Sequence, residues 1–506
     1  MIQIQNTVIR KQKNFWNQCL FHPTDAIEDP WGKRILDRMA VDGAIRTVRI
    51  YTMFEDIVYT DENGNLCYDF RLSDLRLDYM VEKGYTLLLA YAGMPDCIAA
   101  SHANKTSVSK NKTRYKGKLW NTSAPKDYAL WEEICYVYTR HIVERYGIET
   151  VSNWRLQCFN EPDIPQFFLS EYPAAKEYTM QYRLPAYCRL YEAFERGIRR
   201  VSDRLQIGGP ALAVYNDFLG GWLDYVREKG LKLDFISVHN YGTHPELLNS
   251  GRRPICVQNN TDNHRASEET VRAHGFSDLP LLVDEWGFSS AGFFNKDECP
   301  ALMARETEQF SAYFVRLIHD FIASDFHADM LCICLSGQHE MTEDFSGFRN
   351  FFTLNFIAKP IYNAYILASR LEENLLSCIK PDDEKLVVIP TANDRGEYAV
   401  LLSCSGKHFE EDLPEVEETV AFAEDITGKT VTVWCIDREN TNPYRLYRKM
   451  GMTDPDEEQI QLLREEGRLK PIRRYTAAGD NTLTLHMTAN AVFLITVTNE
   501  PVNKIL

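Results

Sequence analysis

The sequence predicts an α/β protein made of a (β/α)8 TIM barrel followed by a C-terminal β-sandwich. Short, β-rich apolar runs alternate with longer segments of helical periodicity along most of the 506 residues, and eight such runs are found. From about Leu375 the pattern changes to short alternating runs separated by turn-forming residues. We therefore expect a barrel over residues 15–371 and a β-sandwich over 372–506, and residues 1–14 are candidates to join the sandwich.

The barrel prediction depends on the order of its elements. The eight predicted strands lie at 15–21, 47–54, 86–93, 153–160, 205–211, 235–242, 280–287 and 330–336. The predicted helices between them, at 30–43, 72–84, 126–147 and 301–325, carry apolar residues three and four apart. A doubly wound sheet is the alternative, but the chain has no G-x-G-x-x-G after its first strand and no G-x-x-x-x-G-K-[ST]. The barrel is therefore favoured.

The predicted β-sandwich has five strands with alternating apolar residues, at 384–392, 397–405, 430–438, 481–488 and 491–498. An acidic segment, residues 409–425, holds eight acids and no base, and we expect it to form a solvated loop. A basic segment, residues 101–124, holds six bases and no acid. It follows the third predicted strand, so it is expected at the mouth of the barrel, in contact with substrate or as a solvated loop.

Composition excludes several functions. A net charge of −16 and a pI near 5.3 argue against nucleic acid as a partner, because surfaces that bind phosphate backbones are basic. No apolar stretch approaches the length of a membrane span, and the N-terminal residues lack the apolar core of a secretory signal. The thirteen cysteines include no C-x-x-C pair and resemble reduced thiols. We therefore expect a cytoplasmic protein with no membrane partner.

Two strand ends carry the candidate chemistry. The fourth predicted strand ends in Asn160-Glu161-Pro162, and the seventh ends in Asp284-Glu285-Trp286. Active sites of such barrels lie at the C-terminal ends of the strands, and these two strands lie on opposite sides of the barrel. Cleavage of a glycosidic bond needs one protonated and one ionised carboxyl group facing each other. One such glutamate is ordinarily a solvated rim residue, but the pair predicts a glycosidase without a metal or an organic cofactor.

The residues around these strand ends also resemble a known family. The motifs are 154-WRLQCFNEPD-163, 282-LVDEWG-287, 47-TVRIYTMFED-56, 139-TRHIVERYGIETVSNW-154, 203-DRLQIGGPA-211 and 234-DFISVHNYG-242. Together they resemble glycoside hydrolase family 39, the group of β-xylosidases and α-L-iduronidases. The motifs are collinear, and the resemblance extends from about residue 30 to residue 371. It is therefore much more specific than an isolated N-E-P.

The resemblance implies a retaining double displacement on an oligosaccharide or glycoside, with Glu161 as acid/base and Glu285 as nucleophile. Asn160 would bind the sugar 2-hydroxyl group, Tyr241 would hold Glu285, and Arg49 would keep Glu285 ionised. The remaining candidate substrate-binding residues are His239, Trp286, Tyr51, Glu55 and Glu340. Family β-xylosidases are often oligomeric, which makes a homo-oligomer a further expectation.

Some residues depart from the pattern of family β-xylosidases. Tyr51 and Glu55 replace histidines that are typical of those enzymes, and 331-LCICLSGQHE-340 lacks their tryptophan on strand eight. Glu340 is a candidate to replace a family carboxylate that contacts sugar hydroxyls. Because pocket walls select the sugar, other substrates stay open, namely a uronide, an arabinoside, a plant glycoside or an internal polysaccharide bond. A carbohydrate-binding protein without turnover is the alternative from another functional class.

Overall fold

The computed structural model describes residues 1–21, 30–103, 105–107, 119–290, 294–324, 326, 328–335, 341–409, 413–452 and 454–502. Its strands are β1 (Ile2–Lys11), β2 (Gln18–Leu20), β3 (Thr47–Tyr51), β4 (Val58–Thr60), β5 (Leu66–Tyr68), β6 (Thr86–Tyr91), β7 (Lys105–Ser107), β8 (Leu119–Asn121), β9 (Arg155–Cys158), β10 (Gln206–Leu212), β11 (Phe235–Thr243), β12 (Leu281–Ser289), β13 (Met330–Cys334), β14 (Asn374–Ile379), β15 (Leu386–Ala392), β16 (Tyr398–Cys404), β17 (Val416–Phe422), β18 (Thr430–Ile436), β19 (Pro471–Thr476), β20 (Thr482–Met487) and β21 (Val492–Thr498).

The α-helices are α1 (Pro30–Asp42), α2 (Arg71–Glu82), α3 (Tyr128–Tyr146), α4 (Ile148–Val151), α5 (Lys176–Tyr178), α6 (Leu184–Arg199), α7 (Asn216–Lys229), α8 (Pro245–Asn249), α9 (Val257–Ala273), α10 (Glu308–Ala323), α11 (Pro360–Ala368), α12 (Pro443–Lys449) and α13 (Glu457–Glu466). Short 3-10 turns lie at Phe54–Asp56 and Pro300–Glu306, and a π-helical turn lies at Thr179–Arg183. In the described part of the chain, no helix is both long and apolar enough to cross a membrane.

The predicted barrel is confirmed. Strands β2, β3, β6, β9, β10, β11, β12 and β13 form a closed parallel barrel, and each lies within or overlaps one of the eight predicted runs. Strand β13 closes the barrel on β2, with Cys332 opposite Gln18 and Cys334 opposite Leu20. The helices cover the outside because their apolar faces pack on the outward side chains of the strands. This closure brings the C-terminal ends of all eight strands around one mouth.

The C-terminal strands form one continuous sheet of nine strands, in the order β19-β18-β21-β16-β15-β14-β1-β17-β20. Strand β1 pairs antiparallel with β14 and parallel with β17, so the N-terminal residues lie inside this sheet. One face of the sheet encloses its own core, which includes Val400 and Ile495. The other face, with Leu401 and Leu494, packs with the barrel core. Burial on both faces explains why the central strands β15, β16, β18 and β21 are largely apolar.

The expectation of a solvated loop over residues 409–425 was wrong for its central part. Residues 416–422 form β17, which pairs with β1 and β20. Val420 and Phe422 are buried in the sheet core, while Glu417 is exposed. The acidic side chains obscured the strand pattern in the sequence. Val416, Val420 and Phe422 lie on the same face of β17 and pack in or against the sheet core.

Gly208 in β10 offers a test of barrel packing. A Cβ atom at this position would lie 2.2 Å from the carbonyl oxygen of Phe235 in the neighbouring strand, and the backbone cannot move there without disturbing the barrel. We expect Gly208→Ala to lower the free energy of unfolding by about 1–3 kcal/mol, measured by chemical denaturation. Gly221→Ala in α7 is the control, because its Cβ would meet only the tip of the Leu184 side chain. Equal stability of the two variants would contradict the packing argument.

Candidate active site

A buried guanidinium organises the mouth of the barrel. Arg49 is the third residue of β3, has no exposed surface and points into the barrel. Its Nε donates to Gln157 Oε1 at 2.9 Å and lies 3.1 Å from Asp284 Oδ2. Its Nη2 donates to Asn160 Oδ1 at 2.7 Å, and its Nη1 donates to Glu285 Oε1 at 2.6 Å. One side chain therefore connects the ends of the second, fourth and seventh barrel strands.

A bulge in β12 brings two consecutive acids to this guanidinium. Val283 pairs with Val238 of β11, but the next pair joins Glu285 to His239, so Asp284 is an extra residue in the ladder. The same irregularity appears on the β13 side of the strand. Successive residues of a regular strand face opposite sides, and a bulge suspends this alternation locally. Asp284 and Glu285 can therefore both contact Arg49 from inside the barrel.

Glu285 is almost completely buried, and hydrogen bonds engage both of its oxygens. Tyr51 donates its hydroxyl to Oε1 at 3.0 Å, beside the Arg49 contact, and Tyr241 donates to Oε2 at 2.7 Å. Burial alone would raise the pKa of this carboxyl group. The positive charges of His239, Arg49 and Arg349 outweigh burial and hold the pKa of Glu285 well below its usual range. Glu285 is therefore the ionised member of the pair.

Glu161 reaches the mouth through a sharp turn after β9. Phe159 and Glu161 both have positive φ values, 66° and 45°, which are rare for residues other than glycine. The backbone N–H of Phe159 donates to the Tyr91 carbonyl at 3.1 Å, and that of Glu161 donates to the Ala211 carbonyl at 3.0 Å. These bonds to the neighbouring strands β6 and β10 hold the turn. Burial raises the pKa of Glu161 even though His239 acts to lower it.

His239 stands between the two glutamates. Its Nδ1 is 2.7 Å from Glu161 Oε1, and its Nε2 is 3.6 Å from Glu285 Oε1. Burial by itself would lower the pKa of His239, but the negative charges of Glu285, Asp284 and Glu161 raise it to about 9. The imidazole is therefore protonated at neutral pH, and as a double donor it holds Glu161 through Nδ1.

The same three residues have the composition of a metal site. One ligand atom from each of Glu161, His239 and Glu285 lies within 4.8 Å of the others. However, a protonated His239 offers no lone pair, and Arg49 already occupies Glu285 Oε1. These charges and contacts therefore favour an ion-pair network over a bound metal ion at this position.

The sequence analysis missed three polar residues of this site. Gln157 donates its amide to Asp284 Oδ2 at 2.6 Å and to Ser237 Oγ at 2.7 Å. Arg349, from the segment after β13, donates to the Tyr241 hydroxyl at 2.7 Å. Gln157 was detectable as a polar residue between the apolar residues Leu156 and Cys158 of β9. Asp284 required the bulge, and Arg349 required the path of a long connection, which periodicity does not reveal.

Most of the predicted site residues converge on one mouth. Those that lie within this network are Glu161, Glu285, Asn160, Arg49, Tyr51, His239 and Tyr241. Glu55 lies in the 3-10 turn after β3, with its carboxylate against the backbone of Gly93. Its position is at the rim between the second and third barrel strands. Glu340 lies outside the described residues.

The expectation that Trp286 is a substrate-binding residue was wrong. Its indole has no exposed surface, stacks on Phe314 of α10 and donates Nε1–H to the Tyr365 hydroxyl of α11 at 3.1 Å. Regular alternation resumes after the bulge, so Trp286 faces away from the side taken by Glu285. Trp286 therefore packs between the barrel and its helices and stabilises the strand that carries Glu285.

The fold and the site define a class of enzyme. A closed (β/α)8 barrel carries two carboxyl groups at the ends of its fourth and seventh strands, and their pKa values are shifted in opposite directions. Such a pair is the requirement for acid-assisted cleavage of a glycosidic bond. The protein is a glycoside hydrolase.

The chain belongs to glycosyl hydrolases family 39, whose family model matches residues 1–482. It is 24% identical to a β-xylosidase of Caldicellulosiruptor saccharolyticus over 97% of this chain and 96% of that protein. It is 25% identical to an α-L-iduronidase of Canis lupus familiaris, over 49% of this chain and 37% of that protein. The fold matches the crystal structure of a monomeric β-xylosidase from Caulobacter crescentus CB15, with a TM-score of 0.81, 20% identity and coverage of 98% and 99% of the two chains.

The charge of His239 can be measured without any substrate. We expect its imidazole to titrate near pH 9 in an NMR experiment, because three carboxyl groups surround it. Glu285→Gln removes one negative charge next to Nε2 and is expected to lower this pKa. Glu246→Gln, at an exposed position in α8, is the matched control and should leave the titration unchanged. A His239 resonance that titrates near pH 6.5 would contradict the proposed charge pattern.

Proposed function

We propose that this protein is a retaining exo-glycosidase of the β-xylosidase type, which removes terminal sugars from short oligosaccharides or glycosides. One observation carries the proposal. An oxygen of Glu161 lies within 4.8 Å of an oxygen of Glu285, and the pKa values of the two carboxyl groups are shifted in opposite directions. Retaining enzymes separate their carboxyl groups by about 5–5.5 Å, whereas inverting enzymes need about 6.5–9.5 Å to admit a water molecule.

In the first step, a Glu285 oxygen attacks the anomeric carbon and forms a covalent glycosyl ester. The bond between this carbon and the leaving oxygen breaks, and Glu161 transfers its proton to that oxygen. Burial raises the pKa of Glu161, which favours the protonated form before the step. The Nδ1–H of His239 then stabilises the Glu161 carboxylate that the transfer leaves behind.

In the second step, ionised Glu161 takes a proton from a water molecule, whose oxygen attacks the anomeric carbon. The ester bond to Glu285 breaks, and the sugar leaves with its original anomeric configuration. Arg49, Tyr51 and Tyr241 receive the returning carboxylate at the distances that they hold in the free enzyme. Because these donors are already in place, stabilising the negative charge requires little reorganisation.

Asn160 is suited to bind the sugar 2-hydroxyl group. Its Oδ1 accepts the Nη2–H of Arg49 at 2.7 Å, which fixes the amide orientation and leaves the NH2 group as the donor. A hydrogen bond to the 2-hydroxyl group strengthens as the oxocarbenium-like transition state forms. Arg49 thus orients both the nucleophile and the residue that reads the neighbouring hydroxyl group.

The names of the relatives support xylose as the sugar, and they also allow a second sugar. Two β-xylosidases, from Caldicellulosiruptor saccharolyticus and Caulobacter crescentus CB15, match nearly the whole chain.

We further propose that the enzyme works in the cytoplasm. All thirteen cysteines are free thiols, as expected in a reducing compartment.

Variants of the two glutamates test the mechanism. We expect Glu285→Gln to lower kcat on nitrophenyl β-xyloside by at least about 1,000-fold, because the amide is not a nucleophile. Glu161→Gln should lower kcat by about 100- to 10,000-fold on substrates with poor leaving groups. The loss should be much smaller on dinitrophenyl glycosides, because dinitrophenolate leaves without protonation by an acid. Steady-state kinetics and the anomeric configuration of the first product, read by NMR, provide the measurements.

Glu171→Gln is the matched control, because this exposed glutamate lies on the same loop as Glu161. It should retain wild-type kinetics. Wild-type activity of Glu285→Gln, or an inverted first product, would exclude the mechanism.

A second candidate substrate is a glycoside with a carboxylate on the sugar, a uronide. The observation that favours it is Arg349, a partly exposed guanidinium that contacts Tyr241 next to Glu285. Arg349 places positive charge close to Glu285, and therefore close to the position of the bound sugar. A charged group placed against the sugar discriminates more strongly than an apolar wall.

The substitution Arg349→Met distinguishes the two sugars. If the enzyme prefers uronides, the ratio of kcat/KM for nitrophenyl uronide over nitrophenyl xyloside should fall by about 10- to 100-fold. The ratio is used because a loss of activity that acts through Tyr241 and Glu285 affects both substrates and cancels. Tyr241→Phe is the control, because it breaks the contact with Arg349 and keeps the cation. An unchanged ratio in Arg349→Met would leave xylose as the sugar.

A further inference from the structure

Three tyrosines form a stacked column on the loop that follows Glu161. The rings of Tyr172 and Tyr182 are 4.1 Å apart and inclined by 12°, and those of Tyr178 and Tyr182 are 6.0 Å apart and inclined by 16°. Tyr182 is therefore the middle ring, and each of the three side chains is partly exposed. We call this column the tyrosine platform. The catalytic steps above use none of its members.

The backbone around the platform is rigid. The buried guanidinium of Arg183 donates to the carbonyls of Phe168, Leu169, Tyr172 and Pro173, at 2.8–3.1 Å. Thr179–Arg183 forms a π-helical turn, and such turns occur frequently at functional sites. These bonds fix the backbone that carries the platform, and less backbone has to be ordered when a ligand binds.

Hydrogen bonds tie the loop of the platform to the acid side of the site. The Thr179 hydroxyl donates to the Asp163 carbonyl at 3.2 Å, and Asp163 is only two residues beyond Glu161. The Asp163 carboxylate accepts the backbone N–H groups of Val214 and Tyr215 at 2.8 and 3.0 Å, and the Tyr215 hydroxyl donates to the Ala174 carbonyl. The loops after the fourth and fifth barrel strands therefore form one surface beside Glu161.

We propose that the tyrosine platform is a binding subsite for the leaving-group part of the substrate, formed by further pyranose units beyond the cleaved bond. The inference rests on the proposed function, in which Glu161 protonates the leaving oxygen. The group that leaves must therefore extend over the side of the mouth where Glu161 and its loop lie. Tyr182 is covered on both faces, so the partly exposed end rings, Tyr172 and Tyr178, supply the flat apolar faces that suit the C–H face of a pyranose. The enzyme is thereby adapted to oligosaccharides rather than to short glycosides alone.

The dependence of kinetics on chain length tests the platform. We expect wild-type kcat/KM to be higher on xylotetraose than on xylobiose. Tyr172→Ala and Tyr178→Ala should each raise the KM for xylotetraose by about 2- to 10-fold, the size expected for the loss of one aromatic contact. The KM for nitrophenyl β-xyloside should stay within about 2-fold of the wild-type value. Tyr178→Phe keeps the ring and should retain wild-type KM. Tyr136→Ala, on the outer surface of α3, is the control for loss of a tyrosine elsewhere.

The possible outcomes separate this inference from the proposed function. The platform proposal would be overturned if the variants lost the same activity on both substrates, or if wild-type kcat/KM did not rise with chain length. Neither result would contradict glycosidase activity. If neither substrate is cleaved, the proposed function fails, and calorimetric titration of the wild type with xylotetraose decides on the platform. Binding that Tyr172→Ala and Tyr178→Ala weaken by a similar factor would support it, and unchanged or undetectable binding would overturn it.

Discussion

The buried Arg49 guanidinium is the constraint on which the rest of the site depends. A cation without solvent is costly unless carboxylates and carbonyl oxygens surround it. Asp284 and Glu285 supply negative charge, and Gln157 and Asn160 supply amide oxygens. These partners come from separate strands, so the ion network also holds the ends of those strands in their relative positions. The bulge in β12 follows from the same demand, because a regular strand would offer only one of the two acids.

The difference between the two glutamates follows from their neighbours. Glu285 is buried and Glu161 is only slightly exposed, and removal from water raises the pKa of each. Glu285 faces Arg49, His239 and Arg349, and hydrogen bonds engage both of its oxygens, so it stays ionised. Among the described residues, His239 is the cation that acts to lower the pKa of Glu161, and the negative charge of Glu285 raises it. One shared histidine thus links an acid to a nucleophile, and the protonation state of each depends on the other.

Much of the fold was predictable, because local patterns encode it. All eight barrel strands and five strands of the second sheet lie in or overlap the predicted runs, since their apolar residues recur with strand periodicity. Strands β1, β14, β17 and β19 were missed as strands. β17 carries charge on one face, and β1 is largely exposed beyond Ile4, which obscured the alternation. The continuity of the nine-stranded sheet depends on pairing between distant segments, which local patterns do not contain.

The sequence by itself determined the barrel, the second strand-rich domain, the family resemblance and the two candidate glutamates, because strand period and the ends of parallel strands follow from local order. Tertiary structure decided which neighbours surround those glutamates. It placed Asp284 inside the barrel through a bulge, turned Trp286 outward into the helix layer and brought Arg349 to Tyr241. These outcomes depend on register shifts and on the path of long connections, which arise only when the barrel closes. Protonation states belong to the same class, because a pKa reflects charges and burial in three dimensions.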